Sequence, residues 1–154
     1  MFLASSVVDL VKPIGDAMNN TEWAFPLAEC FHIAAFAFAI GTIAVVDLRL
    51  LGLGITKQTA AQLLEDLKTW TLVGLAVVLV AGVPIYISQP EIYNVNSAFW
   101  FKMYCIIAAI VFHYAILSPV VRAGPSPIVG KLVAIVSLLL WTGTVFGGLF
   151  IAFV

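Results

Sequence analysis

Charge is scarce in this chain. Only 10% of its 154 residues are Asp, Glu, Lys or Arg, and the formal net charge is -1. No basic run exists that could track a phosphate backbone, so composition excludes a nucleic-acid partner. Cysteine is scarce too. Cys30 and Cys105 are the two present, and no C-x-x-C pair links them, which excludes a thioredoxin-like motif and covalent haem attachment. Read alone, each is a small buried hydrophobe. The long apolar runs do not alternate with polar residues, which excludes β-barrel spans. Internal repeats and low-complexity segments are also missing, and the chain reads as one compact unit behind a short leader helix. Histidine is as scarce as cysteine: there are two, His32 and His113.

Apolar residues are what the chain has. They make up 63% of it, against roughly 45–50% in a soluble domain, and the mean hydropathy is +1.13. A chain this short cannot hide that much apolar surface from water. The composition predicts an all-α integral membrane protein whose lipid bilayer is its principal partner. A bilayer core of about 30 Å needs about 20 apolar residues of helix. Four segments qualify, at about residues 24–46, 67–88, 98–121 and 129–154, and short connections make them an antiparallel bundle. The two parts expected are residues 1–20, a short interfacial amphipathic helix, and residues 21–154, the four-helix transmembrane domain. In the first part Asp9, Lys12 and Asp16 recur at helical spacing, with a bend expected near Pro13. Thr21 is the expected cap of the first span. The opening residues lack a basic start and a small-residue cleavage site, so no signal peptide is expected.

Lys and Arg placement sets an expected orientation. Arg49, Lys57 and Lys68 flank the first loop, and Arg122 and Lys131 flank the third. The positive-inside rule then puts those loops in the cytoplasm and both termini outside. Trp23, Tyr93 and Trp100 would mark the outer interface and Trp70 the inner one.

Ionisable residues inside a span are expensive and mark function by default. At about 1.5 Å per residue, Glu29 and His32 lie roughly 8 and 12 Å below the start of span one. Lys102 and Cys105 lie roughly 6 and 10 Å below the start of span three on the same rise. These four share a layer in the outer half, where Glu29 and Lys102 can form a buried ion pair. His113 is deeper, roughly 22 Å down by the same measure.

Two in-span histidines with small neighbours such as Ala28, Ala35 and Ala109 suit haem b, for which neutral imidazole is a common axial ligand. His32 and His113 are the expected iron ligands. Their depths differ by about 10 Å on straight helices, so one shared haem, two separate sites and a haem on only one histidine all stay open. Lys102, Arg49 and Arg122 are the expected propionate partners. Glu29 and His32 lie one turn apart and could hold a second metal, copper for instance, with Cys105 or Met103 adding a ligand. The bland reading of Asp47 and Arg49 is a helix end at the membrane rim, where Asp caps or pairs and Arg snorkels.

The expected function is therefore a membrane haem b protein in electron transfer or redox or small-ligand chemistry, with an electron partner the sequence does not name. One alternative is a proton or solute pathway built on Glu29, His32 and Lys102. Another is a structural subunit without cofactor. A wholly embedded chain of this size also leads to an expectation of a homo-oligomer, cyclic in symmetry.

The run Trp23-x-x-Pro26-x-x-Glu29-x-x-His32, followed by Gly41 and "DLRLLG" from Asp47 to Gly52, resembles a family of small four-span bacterial inner-membrane proteins of unknown function. "FWFKMYCIIAAIVFH", ending at His113, resembles that family's third span. The resemblance implies four spans and a bacterial inner membrane, and it carries no activity with it.

Overall fold

A computed structural model describes residues 2–55 and 57–154, with side chains from residue 11 onward. The side chain of Asp9 lies outside the described part. Five longer helices carry the fold: α1 (Phe2–Asn20), α2 (Ala24–Leu50), α3 (Ala60–Ser88), α5 (Ser97–Phe112) and α7 (Pro127–Phe150). The short α4 (Pro90–Val95) bridges α3 and α5. A π-helical turn (His113–Leu117) and α6 (Ser118–Ala123) prolong α5 as one rod. Among the described residues there is no strand.

Four stretches, Ala24–Leu50, Ala60–Ser88, Ser97–Arg122 and Pro127–Phe153, are long and apolar enough to cross a membrane, with hydropathies of 2.0 to 2.2. The chain is a multi-pass, all-α membrane protein. The expected spans hold, but helix continues past them at the end where Arg49, Lys57, Arg122 and Lys131 gather, here the basic end. The opposite end, with the start of α2, α4 and the last residues, is the terminal end. α3 begins at Ala60, well before the expected start of span two. Thr59 sets that start through a capping box, accepting from the Gln62 amide while the Gln62 side chain accepts from the Thr59 amide. α2 has no such device: Trp23 precedes it without a side-chain bond, so Thr21 is not its cap. α1 runs through Pro13 without a break. Its second half docks on the terminal end of α3, where Asn19 Nδ2 donates to the Ser88 carbonyl at 2.8 Å. Gly15 permits that approach, since a Cβ there would stand 3.0 Å from the Ile87 carbonyl oxygen.

α2 packs along α3 and also along α7, and α7 packs along α5. α3 and α5 are the two ends of this row. They do not pack on each other, and only α6 closes back on α3, at the basic end. Two apolar clusters fill the interior. Ala39, Ile43, Leu75, Ala109 and Trp141 form one, and Val46, Leu63, Leu64, Leu117 and Val121 form the other, nearer the basic end. Outside them, large apolar side chains such as Leu72, Val80, Ile107 and Leu139 are exposed around the bundle, as a lipid-facing surface requires.

Candidate functional site

The gap between α3 and α5 is a cavity of about 700 Å³ in the terminal half of the bundle. α2 supplies its back wall with Glu29 and His32, α3 one side with Val78, Gly82 and Tyr86, and α5 the other with Phe99, Lys102 and Ile106. α4 closes the terminal end through Tyr93, and Gly148 of α7 meets the cavity beside Lys102. Glu29, His32 and Lys102 therefore line one cavity.

Glycine sets how close the walls come. A Cβ on Gly82 would stand 3.1 Å from Cε1 and 3.5 Å from Nδ1 of His32, so the imidazole rests on bare backbone. A Cβ on Gly147 would meet N, Cα and Cβ of Lys102 at 3.0 Å, so here α7 and α5 touch main chain to main chain. The Lys102 side chain then lies along Gly148, whose Cβ would meet Cδ, Cε and Nζ at an ordinary 3.6 Å. Its ammonium ends 5.6 Å from the centroid of the Phe36 ring, a cation–π arrangement. Phe36 in turn lies nearly parallel to His32, at 9° and 6.4 Å between centroids.

The polar groups of the site are under-partnered. Nδ1 of His32 is buried without a hydrogen bond. No carboxylate lies within 4.0 Å of the Lys102 ammonium among the described residues, so the expected Glu29–Lys102 ion pair is not formed. Both groups face the same cavity, with Glu29 exposed and Lys102 half-buried.

Aromatic rings roof the cavity. Tyr86, Tyr93 and Phe99 pack mutually, with centroids 5.3 to 6.2 Å apart. Tyr86 donates to Asn94 Oδ1 at 2.9 Å, which holds α4 against α3. Burial, and after it the negative charge of Glu29, holds the Tyr93 hydroxyl above its ordinary value of 10.0. It is therefore a phenol, a donor as well as an acceptor, at neutral pH. Asn96 fixes the neighbouring corner: its Nδ2 donates to the carbonyls of Ile151 and Val154 at 2.9 and 3.0 Å, and its Oδ1 accepts from the Phe99 amide. Tyr86, Tyr93 and Phe99 carried no site role in the sequence reading. The signal was the density of aromatics between residues 86 and 100, at the level of Glu29.

The other expected site residues lie elsewhere. His113 is 3% exposed, sits in the interior between the two apolar clusters and does not line the cavity. Arg49 donates from Nε to the Gln58 carbonyl at 2.6 Å, tying the loop after α2. Arg122 pairs with Glu65 at 3.0 Å, fastening α6 to α3, and Lys68 pairs with the same carboxylate. Both arginines are thus used at the basic end, away from His32. Cys105 faces α7, where a Cβ on Gly143 would stand 3.1 Å from its sulfur. Among the described residues no three His, Cys, Asp or Glu side chains gather for a metal. Asp47 also departs from its expected place. It is 0% exposed, inside the bundle rather than at its rim, and accepts from Ser137 at 2.7 Å. The reason is that α2 continues to Leu50, so Asp47 lies a turn inside the helix end.

A four-helix membrane bundle with a polar-tipped apolar cavity between two unpaired helices is the class these features define. Within it, the chain belongs to a family of unknown function (DUF6644), whose model matches residues 10–154. No curated protein and no solved structure matches the chain.

Proposed function

We propose that the chain binds haem b in the α3–α5 cavity, with His32 as the iron ligand from the protein and Lys102 as partner of a propionate. The observation that carries this reading is the pairing, in one apolar cavity of about 700 Å³, of a half-buried imidazole whose Nδ1 has no partner with a half-buried ammonium lacking a carboxylate. An apolar pocket with one imidazole is the usual setting for such a group. With His32 the one histidine at the cavity, this chain would give the iron one imidazole, which favours small-ligand or redox chemistry over a bis-histidine electron carrier. The haem would supply the redox-active iron. The chain's residues would orient and shield it: the Tyr86, Tyr93 and Phe99 roof excludes water from the terminal end, and Lys102 sets the rotation of the ring. His113 has no part in this site.

The expected bacterial inner membrane, cytoplasmic basic end and homo-oligomer belong to the same proposal, on the strength of the Lys and Arg placement and the apolar exterior of the spans. Copper is the weaker idea here. Glu29 and His32 offer two ligands and Met103 lines the same cavity, while Cys105 faces α7, so a further ligand would have to come from water or a second copy. A proton or solute pathway has one observation of its own, namely that Glu29, His32, Tyr93 and Lys102 line a single cavity.

Pyridine haemochrome analysis of protein expressed with ample haem tests the proposal. About one haem per chain is expected, lost in His32→Ala and kept in His113→Ala. Haem-free native protein would refute the haem reading and leave the pathway, for which His32→Ala and Lys102→Met should then abolish proton or solute flux in liposomes.

A further inference from the structure

Four of the buried polar residues outside the cavity lie in one layer. Ile43, Leu75, Ala109 and Trp141 pack together from four helices. One helical turn toward the basic end from each stands a polar residue: Asp47 on α2, Thr71 on α3, His113 at the end of α5 and Ser137 on α7. All four are at most 3% exposed. Toward the basic end the second apolar cluster follows, with Leu117 one turn beyond His113 and Leu63 and Leu64 two turns beyond Thr71. The layer is separate from the α3–α5 cavity, none of whose lining residues belongs to it.

Thr71 is satisfied by Thr42 and the Leu67 carbonyl, and Ser137 donates to Asp47 Oδ2. Three atoms in this layer and the adjoining turn are buried with no partner: Asp47 Oδ1 and His113 Nδ1 in it, and Trp141 Nε1 one turn toward the terminal end. Unpaired buried polar atoms are costly, and three on facing helices within about one turn of each other along the bundle call for a partner. Their chemistry is complementary. The indole N–H only donates, the carboxylate oxygen only accepts, and the imidazole nitrogen does either. A single water among them would satisfy all three by accepting from Trp141 and donating to Asp47 and His113, within the two to four bonds a buried water makes. The backbone is unusual at the same point. The rod widens to a π turn at His113, whose carbonyl accepts from the Ser118 amide. Pro119 just beyond has no N–H for the Ala115 carbonyl, and the wide turn takes up the clash its ring would make. Such π turns are frequent at functional sites.

We propose that Asp47 and His113, bridged by this water and Trp141, form a proton-binding site in the basic half of the bundle. The step balances simply. A hydronium reaching the layer gives its proton to Asp47 Oδ1, an O–H bond forms there, and water remains in the bridge, while Ser137 keeps its bond to Oδ2. In reverse the proton leaves through the bridge, and His113 Nδ1 is the second station for it. Few other titratable groups face this layer. On α2, Arg49 is tied to Gln58. On α3, Glu65 and Lys68 are exposed and paired with each other, and Asp66 is exposed. On the α5 rod, Tyr114 lies edge-on to His113 with its ring centroid 4.9 Å away. On α6, Arg122 is paired with Glu65, and on α7, Lys131 is exposed.

Infrared spectroscopy of the haem-free full chain in liposomes, titrated in pH in H₂O and D₂O, tests this site independently of the haem reading. The expected result is one protonated-carboxyl band that shifts in D₂O, titrates, and disappears in Asp47→Asn. Its midpoint should move by at least about one pH unit, tenfold in proton affinity, in His113→Gln and in Trp141→Phe, both of which keep side-chain bulk. It should stay in place in His32→Ala. A midpoint unmoved in both His113→Gln and Trp141→Phe overturns the proposal, even if Asp47→Asn fails to fold. So does loss of the band on adding sodium at constant pH, which would make the layer a cation site instead.

Discussion

Gly82 offers the sharpest test of the cavity, because the glycine and the histidine it touches are on different helices. In Gly82→Ala the new Cβ would stand 3.1 Å from His32 Cε1. Ordinary contact begins near 3.4 Å, so the ring must retreat by a few tenths of an ångström. Overpacking of that size costs about 1 kcal/mol when the neighbour is a side chain free to turn, and 1 kcal/mol is about fivefold in affinity. Gly82→Leu places a branched side chain where the ring rests and into the cavity itself. The expected loss there is about 3 kcal/mol or more, or over about a hundredfold. Stability is the wrong readout for the alanine variant. Gly→Ala in a helix gains about 0.5–1 kcal/mol in backbone entropy, which offsets the clash. Binding is the right one, by Soret titration of haem into haem-free protein, with Gly41→Ala as control because a Cβ at Gly41 meets nothing within 4 Å. Gly82→Leu protein that binds haem as tightly as the native chain would show that the ligand does not sit against His32, and the site assignment would fall.

Gly147→Ala differs in kind, since its Cβ would meet three Lys102 atoms at 3.0 Å, two of them backbone. α5 and α7 must separate, and a loss of about 1–3 kcal/mol is expected in detergent unfolding, whereas unchanged stability would mean that the two helices do not approach there. Tyr93 gives a pH dependence. Its hydroxyl is held above 10.0 by burial and by Glu29, so folding favours the neutral phenol. That contribution is complete below pH 10.0 and is lost as pH rises through the higher folded value. Thermal unfolding followed at alkaline pH should show a destabilisation that Tyr93→Phe removes and Glu29→Gln reduces. An alkaline limb identical in native and Tyr93→Phe protein would contradict the burial of that ring.

Hydropathy and length by themselves determined the class of this protein, the number of its spans and where most of them lie, because about 20 residues of helix must match about 30 Å of hydrocarbon. They also singled out Glu29, His32 and Lys102, since a charge in a span stands out against any apolar background. What they left open was which way each helix faces. In a soluble bundle the polar stripe marks the outside, but here lipid and interior are equally apolar, so the period of the pattern carries little information about burial. Packing alone decided that α3 and α5 stand apart and leave a cavity. It also brought Tyr93, from a connecting segment, over Glu29, and put His32 at that cavity while leaving His113 to the polar layer beneath. The same packing buried Asp47, which sequence position alone had placed at a membrane rim: the carboxylate faces Ser137 across two helices far apart in the chain, a contact that only the folded bundle can make.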